Sequence, residues 1–185
     1  KGLLLVILLL IVTATVVSGL YTNPSSNPLS TKSGNWLYVG GSGPGNYTRI
    51  QDAIDNTSKG DTVYVYSGTY DENIVIETEG LTLTGEDKYT TTIRSKNAAE
   101  NTTKIQALSV TIQGFTIENA TGSNTLWDTS GIIICSSNAV IRDTVIGGNR
   151  LGLCALNIVY NVTICNNIFL DDGILFGNYE HTPTN

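Results

Sequence analysis

Methionine is absent from this chain, histidine occurs once and cysteine three times. Soft sulfur and imidazole groups are the ligands that copper prefers. The single histidine, His181, lies near the end of the sequence, and we expect the cysteines to be buried. The composition therefore argues against a copper site. The glycine-rich stretch 40–45 lacks the spacing of a dinucleotide-binding loop, so we predict no cofactor there.

The three cysteines, Cys135, Cys154 and Cys165, are an odd set. A disulfide framework normally uses an even number. Aligning the strands that begin at Gly131 and Gly152 places Cys154 opposite Ile133, two residues from Cys135. The two cysteine Cα atoms would then lie about 8 Å apart, beyond the reach of a disulfide. We therefore predict free cysteines that act as small packing residues.

Charge is also scarce, with 14% charged residues and a net charge of −6. A nucleic-acid-binding surface would need a basic stripe, so no nucleic-acid partner is expected. Threonine, asparagine, serine and glycine are abundant, and the strong helix formers glutamate, lysine and arginine are few. This composition is typical of strands joined by tight turns.

Only one long hydrophobic run occurs, from Leu3 to Val12 with a weaker extension to Val17. It follows Lys1 and precedes small residues, the pattern of a secretory signal. About 15 apolar residues is short for a membrane span, which needs ~20. We predict that residues 1–19 are a signal peptide or an N-terminal membrane anchor, so that membrane contact would occur only through this segment if it is uncleaved. Residues 20–35 are predicted to be a polar linker, and the protein is expected to be secreted or on the outer face of the cell envelope.

A strand pattern then recurs along the rest of the chain. Taking Leu83, Ile112, Ile141 and Ile164 as equivalent gives steps of 29, 29 and 23 residues. Such a period of alternating, β-branched segments indicates a solenoid. A second series, Gly131, Gly152 and Gly173, opens apolar runs at intervals of 21 residues.

No single coil of a solenoid can bury its own apolar face, so neighbouring coils must stack and the ends must be capped. Thr48 and Gln51 have the form of a capping box before apolar residues at helical spacing, which predicts a helix over 49–57. We expect this helix to cap the first coil. The domain is predicted to occupy 36–185 in about five or six coils, with further coils beyond it because no cap signal follows Gly173.

The pattern has a known likeness. The segments that carry it are Tyr38-Val39-Gly40, Tyr47-Thr48-x-Ile50-Gln51-x-Ala53-Ile54, Gly60-Asp61-Thr62-Val63-Tyr64-Val65, Gly68-Thr69-Tyr70-x-Glu72-Asn73 and Leu81-Thr82-Leu83-x-Gly85-Glu86. Residues 36–175 resemble right-handed parallel β-helix proteins of the NosD-like and pectin-lyase-like kind, whose opening pectin methylesterases share. The resemblance implies an all-β, single-stranded, right-handed parallel β-helix. It says less about function, because the group contains polysaccharide lyases, esterases, carbohydrate-binding proteins and structural proteins.

Five Asn-x-Ser/Thr sequons lie beyond the apolar run, at Asn46, Asn56, Asn101, Asn119 and Asn161. In an exported protein they are candidate glycosylation sites, although a chain rich in asparagine and threonine also produces sequons by chance.

Metal and catalytic candidates are few. Asp171 and Asp172 precede Gly173 at a predicted turn, where hard oxygen ligands could hold Ca²⁺ or simply be solvated. Arg142 and Asp143 are the nearest approach to an acid–base pair, but adjacent strand residues point to opposite faces. Gln106 and Gln113 flank that region without an acidic partner. No catalytic residue is identified.

If Ile132 and Ile134 face inward, then Ile133, Cys135, Cys154, Leu156 and Leu175 form an apolar stripe on an exterior face. Such a patch indicates either a partner or a covering segment. We expect the segment 120–130, with Trp127, to cover it.

The stacked faces carry threonine, asparagine and tyrosine, which suit hydrogen bonding and stacking to sugars. The sequence therefore favours a non-enzymatic surface protein that binds carbohydrate, adheres or builds the envelope, with a polysaccharide or surface glycan as partner. The alternative is the N-terminal part of a polysaccharide lyase or carbohydrate esterase that acts on acidic polysaccharide.

Overall fold

The computed structural model describes residues 34–122, 129–156 and 159–177. The predicted signal or anchor, most of the linker, Trp127 and His181 lie outside these ranges. Within them, strands provide almost all of the regular structure, together with one short helix. None of the described helical structure is long and apolar enough to cross a membrane.

The strands form three parallel sheets, and we number them in chain order. Sheet I contains β1 (Trp36–Val39), β2 (Thr62–Val65), β5 (Thr82–Gly85), β8 (Thr111–Gln113), β11 (Val140–Arg142) and β14 (Thr163–Cys165). Sheet II contains β3 (Gly68–Asp71), β6 (Thr91–Arg94), β9 (Thr116–Glu118), β12 (Val145–Gly147) and β15 (Ile168–Leu170). Sheet III contains β4 (Ile74–Ile76), β7 (Thr103–Ile105), β10 (Ser130–Ile134), β13 (Leu151–Leu156) and β16 (Ile174–Gly177).

From β2 onward the chain visits sheets I, II and III in turn and then repeats the circuit, so that each strand pairs with its counterpart one coil away. The described residues thus form five coils of a parallel β-helix, with β1 as an additional strand on sheet I. The predicted all-β, pectin-lyase-like solenoid is confirmed.

The predicted repeat register is also confirmed. Leu83 pairs with Ile112, Ile112 with Ile141, and Ile141 with Ile164. Because side chains alternate across a strand, this ladder points into the solenoid and its neighbours point outward. Leu83, Ile112 and Ile141 are fully buried in the main core. Ser130 pairs with Leu151 and Ile132 with Leu153, which places Gly131 and Gly152 at equivalent positions.

The sharp corner between sheet I and sheet II recurs in successive coils because each of these coils places a residue with positive φ there. Gly114, Asp143 and Asn166 follow the sheet I strands of three successive coils, and all three have positive φ, at 78°, 52° and 57°. This left-handed conformation is open to glycine and, among other residues, is most accessible to asparagine and aspartate. The sharp corner between the two sheets therefore restricts which residues can occupy it.

Helix α1 (Ile50–Asp55) is shorter than the predicted span 49–57, and its predicted capping box is wrong. Residue 49 occupies the N-cap position without a side-chain cap. The carboxylate of Glu72 instead accepts hydrogen bonds from the backbone N–H groups of Ile50 (2.8 Å) and Gln51 (3.0 Å). The helix packs its buried residues Ile50 and Ala53 into the core at the first coil, consistent with the capping role.

The apolar stripe has the predicted register, and its central residues are buried rather than open to solvent. Ile132 and Ile134 lie in the main core, and Ile133 pairs with Cys154 as predicted. Ile133 and Cys154 are only 5% and 0% exposed, because they form a second apolar cluster with Leu151. The predicted cover, with Trp127, falls mainly outside the described residues. Cys135, Cys154 and Cys165 are all free thiols, as expected, but only Cys154 is buried and the other two are half-buried.

Candidate functional site

Four aromatic side chains form a continuous cluster on the outer face of sheet I, which we call the aromatic platform: Trp36, Tyr38, Tyr64 and Tyr66. Alternation along β1 places Trp36 and Tyr38 on the same face. The parallel register pairs Tyr38 with Tyr64. Trp36 and Tyr38 are 55% and 40% exposed, so large ring surfaces face solvent rather than the core.

The rings of the platform contact one another in series. The centroid of Trp36 lies 6.4 Å from those of Tyr38 and Tyr64, and Tyr38 lies 6.1 Å from Tyr64. Tyr66 completes the set, 5.2 Å from Tyr64 in an edge-to-face arrangement. Such geometry is favourable for aromatic pairs and fixes the rings in place. The platform is therefore an ordered apolar surface that carries polar hydroxyl and indole N–H groups.

A glycine-rich loop borders the platform. Asn46 holds this loop by donating its side-chain N–H to the carbonyl of Gly40 at 2.6 Å, and Gly40 donates its N–H to the carbonyl of Tyr47 at 2.8 Å. A Cβ added at Gly41 would lie 2.7 Å from the ring of Tyr66. Glycine therefore lets the loop pack closely beside the Tyr66 ring.

The phenol groups of the platform differ in their electrostatics. Burial raises the pKa of Tyr64, and the neighbouring Glu86 carboxylate, Tyr66 and Tyr38 raise it further. Glu86 itself accepts hydrogen bonds from the backbone and hydroxyl of Ser67, which lower its pKa. Near neutral pH Tyr64 is thus protonated and able to donate, while Glu86 is a carboxylate at the border of the platform.

Sequence reasoning identified tyrosine on the stacked faces but did not assemble the platform. The available signal was the pair of aromatic residues two apart in Trp36-x-Tyr38 and again in Tyr64-x-Tyr66. Each pair indicates one face of one strand. The two aromatic pairs come together because β1 pairs with β2, and the repeat that begins at Leu83 contains neither strand.

A pair of open depressions lies on another surface, on either side of Val75 on sheet III. One is about 390 Å³ and includes Glu100 and Lys104 in its lining; the other is about 560 Å³ and includes Asp55 and Glu77. Their polar groups bond largely to one another. Oriented to satisfy both neighbours, Gln106 donates to Glu77 at 3.0 Å and accepts from Lys104 at 3.2 Å. Asp55 accepts from Gln51 at 2.7 Å.

The catalytic candidates do not converge. Arg142 and Gln113 pair on the outer face of sheet I, whereas Asp143 forms the corner that follows. Gln106 lies beside sheet III, whereas Gln113 lies on sheet I. Among the described residues, no group of three histidine, cysteine, aspartate or glutamate side chains is placed to hold a metal ion.

The calcium candidates occupy different environments. Asp171 is exposed and has a φ of 60°. Asp172 is half-buried, and its carboxylate accepts from the backbone N–H of Asn149 at 3.1 Å and from its side-chain amide at 2.8 Å. These bonds link two successive coils. The role of the pair in calcium binding stays a prediction.

The sequon asparagines all lie at or near the surface, and four of them use the amide group that a glycan would occupy. The side-chain amides of Asn46, Asn56, Asn119 and Asn161 each donate a hydrogen bond, to Gly40, Asp52, Ser95 and Asn138 respectively. Asn101 instead accepts, from the backbone N–H of Ser130 at 2.8 Å. Asn56 and Asn161 are the exposed members. Glycosylation at all five positions stays a prediction.

Comparison with known proteins identifies structural neighbours but no sequence relatives. No protein-family profile and no curated protein matches the chain. The pectin methylesterase from Aspergillus niger is 23% identical over 80% of this chain and 59% of its own, with a TM-score of 0.53. Pectin methylesterase PemA from Erwinia chrysanthemi is 21% identical over 77% of this chain and 53% of its own, with a TM-score of 0.53. A pectin methylesterase in complex with hexasaccharide VII is 20% identical over 76% of this chain and 53% of its own, with a TM-score of 0.54. The chain therefore spans little more than half the length of these neighbours, and the likeness is one of fold.

Proposed function

We propose that this protein is an extracellular carbohydrate-binding β-helix that holds a polysaccharide on the aromatic platform. The observation that carries the proposal is the exposure of Trp36 and Tyr38, at 55% and 40%, within a packed cluster of four rings. A contiguous exposed aromatic surface is costly in water and is typical of an interaction site.

The chemistry of the platform suits a sugar. A pyranose ring has a face of C–H groups that can pack on an aromatic ring, and hydroxyl groups at its rim that need hydrogen-bond partners. Aromatic residues with polar tips supply both kinds of contact. The Tyr64 phenol is held protonated, which leaves it available as a donor. The threonine side chains of the same face, Thr62 and Thr84, add further hydroxyl groups in register with the rings.

Export is part of the proposal. It is supported by the charged and apolar pattern of residues 1–19, and by the five sequons in the rest of the chain. Expression of the full chain in a secreting eukaryotic host should yield protein in the medium. Mass spectrometry before and after enzymatic removal of N-linked glycans should show a loss of mass; unmodified, intracellular protein would contradict this part of the proposal.

Binding can be tested by affinity electrophoresis through gels that contain soluble neutral or acidic polysaccharides. The wild type should be retarded by at least one of them. Trp36→Ala and Tyr64→Ala should each weaken retention about three- to tenfold, because each removes a stacking surface worth roughly 1 kcal/mol. Tyr89→Ala is the matched control, since Tyr89 is 67% exposed and lies outside the platform. Equal losses in all three variants, or no retardation at all, would refute the proposal.

A second candidate is that the chain belongs to a carbohydrate esterase. It is supported by the structural neighbours, which are pectin methylesterases, some of them in complex with hexasaccharides. Incubation with methyl-esterified pectin distinguishes the two. Methanol release that Trp36→Ala leaves intact would favour the esterase, whereas retention without methanol release favours the binding protein.

A further inference from the structure

The outer face of sheet I continues beyond the aromatic platform as two straight rows of side chains. The register aligns one row as Trp36, Thr62, Thr82, Thr111, Val140 and Thr163. It aligns the second row as Tyr38, Tyr64, Thr84, Gln113, Arg142 and Cys165. Both rows run along the solenoid axis, perpendicular to the strands.

Arg142 is the one charged residue in these two rows. It is exposed, and it forms no ion pair with any residue that the structure describes. By contrast, Arg94 on sheet II is engaged by Asp71 through two hydrogen bonds, of 2.6 and 3.0 Å. An unpaired guanidinium in two rows that are otherwise uncharged is notable in a protein with a net charge of −6. It makes this part of the face attractive to an anion.

The spacing places Arg142 within reach of a ligand bound to the platform. Neighbouring strands lie ~4.8 Å apart, so Arg142 is about 14 Å from Tyr64 in the same row. Thr84 and Gln113 lie between them, and the Gln113 amide donates to the Thr84 hydroxyl at 3.1 Å. Polar groups that can contact sugar hydroxyls thus connect the aromatic end of the row to its cationic end.

The part of the face beside Tyr66 disfavours an anion. Glu86 lies at the border of the platform, where it is ionised and raises the pKa of Tyr64. A carboxylate or sulfate beside Tyr66 would be repelled, whereas the same group three strands further along meets Arg142. An anionic group on a bound chain is therefore favoured near Arg142 and disfavoured near Glu86.

We propose that the outer face of sheet I binds a linear acidic polysaccharide along the solenoid axis. A sugar ring stacks on the aromatic platform and a carboxylate or sulfate group pairs with Arg142. Arg142 is then the residue that selects acidic over neutral chains. This inference rests on the proposed function, since it requires a glycan on the platform.

The test compares ligands that differ in charge but little in shape. Binding to a galacturonate hexasaccharide, its methyl ester and a sulfated hexasaccharide is measured by titration calorimetry for the wild type, Arg142→Gln and Lys96→Gln. Lys96 is an exposed cation that lies after β6 on sheet II, away from the two rows. An acidic hexasaccharide should bind the wild type about fivefold more tightly than the ester, as expected for one exposed charge-assisted contact.

Arg142→Gln should abolish that preference while leaving the ester's affinity unchanged, and Lys96→Gln should preserve it. Preference for the galacturonate or for the sulfated chain identifies which anion is used. Equal affinity of the wild type for charged and neutral chains, or an undiminished preference in Arg142→Gln, would overturn the role of Arg142 but leave the platform intact. If a protein that is retarded in the gel assay binds none of the three hexasaccharides, the acidic-chain inference is overturned; failure in both assays would instead overturn the proposed function.

Discussion

The buried carboxylate of Glu72 is bonded to the first turn of helix α1, where it accepts the backbone N–H of Ile50 at 2.8 Å. Its second oxygen accepts the N–H of Gln51 at 3.0 Å. Glu72 lies between β3 and β4, so a residue of the first coil supplies the cap that the helix lacks locally. A negative group at this end of a helix also interacts favourably with its dipole.

Replacing Glu72 with alanine should lower the free energy of unfolding by about 2 kcal/mol, because one buried and one half-buried N–H group lose a charged acceptor. Thermal or urea unfolding measures this directly. Glu79→Ala is the control: Glu79 is exposed and pairs with Lys59 at 2.7 Å, an interaction worth at most ~1 kcal/mol. Similar losses in the two variants would show that Glu72 does not act as the cap.

The hydroxyl of Thr103 is buried and has no hydrogen-bond partner among the described residues. Thr103 pairs with Ile74 and Ile132 in neighbouring coils, so an isosteric methyl group suits its position. Thr103→Val should raise the free energy of unfolding by about 1 kcal/mol, because a desolvated hydroxyl is removed. Thr102→Val provides the contrast, since Thr102 donates to the carbonyl of Glu118 at 3.1 Å and should lose stability. Destabilisation by both changes would contradict the prediction.

The pair of Asp71 and Arg94 should give stability a dependence on pH. The hydrogen bond from Arg94 lowers the pKa of Asp71, and the charge of Arg94 acts in the same direction. A carboxylate whose pKa is depressed in the folded state contributes stability above its unfolded pKa, and that contribution is lost as pH falls through the folded pKa. NMR titration should show the Asp71 carboxyl titrating below an ordinary aspartate, and Arg94→Gln should move it back up.

The same variant gives a second readout. The difference in melting temperature between wild type and Arg94→Gln should be present near neutral pH and should disappear once Asp71 is protonated. High salt should reduce it, because the pair is exposed. A difference that persists unchanged at acid pH would indicate that Arg94 acts through packing instead.

The thiol of Cys154 should be almost inert in the folded protein. Burial, together with the smaller effect of the neighbouring Cys135, raises its pKa to about 11. Since the thiolate is the reactive form, alkylation by iodoacetamide at pH 8 should be far slower at Cys154 than at the partly exposed Cys165. Peptide mass spectrometry after timed labelling separates the two sites. Rapid labelling of Cys154 in folded protein would contradict its place in the second apolar cluster.

The sequence predicts the coil register well because, in a solenoid, residues one repeat apart in the chain lie side by side in the sheet. Once Leu83 faces inward, the alternation of side chains and the repeat interval decide where Ile112, Ile141 and Ile164 must lie. Every one of those pairings is found. The fold could therefore be inferred from residues that are distant in the chain but equivalent in the period.

The wrong prediction of the helix cap originates in a contact that the period does not encode. Thr48 and Gln51 satisfy a local capping rule, but Glu72 from the next part of the coil provides the acceptors. By contrast, Ile133 and Cys154 face away from the main core as predicted, and they form the second cluster with Leu151 on strands that the repeat itself aligns. A tertiary partner thus decides how the helix is capped, whereas the repeat decides where the stripe lies.

Only part of the candidate site could be predicted from the sequence, because the repeat does not include β1. Trp36 and Tyr38 precede the first repeat that the sequence pattern defines, so their alignment with Tyr64 followed from the strand pairing alone. Arg142 could be located on the outer face, but its significance depends on the row that it shares with Tyr64.

The coils differ in length mainly at the corner between sheets II and III. Between sheets II and III the chain spans 95–102 in one coil, 119–129 in the next and only 148–150 in the one after, while the strands on either side remain paired. The length of the segment at this corner therefore does not change the pairing of the flanking strands. Peptides or whole modules grafted at this corner, but clear of Asn149 and its hydrogen bonds to Asp172, should leave the rows of sheet I undisturbed, so the scaffold could carry additional recognition loops.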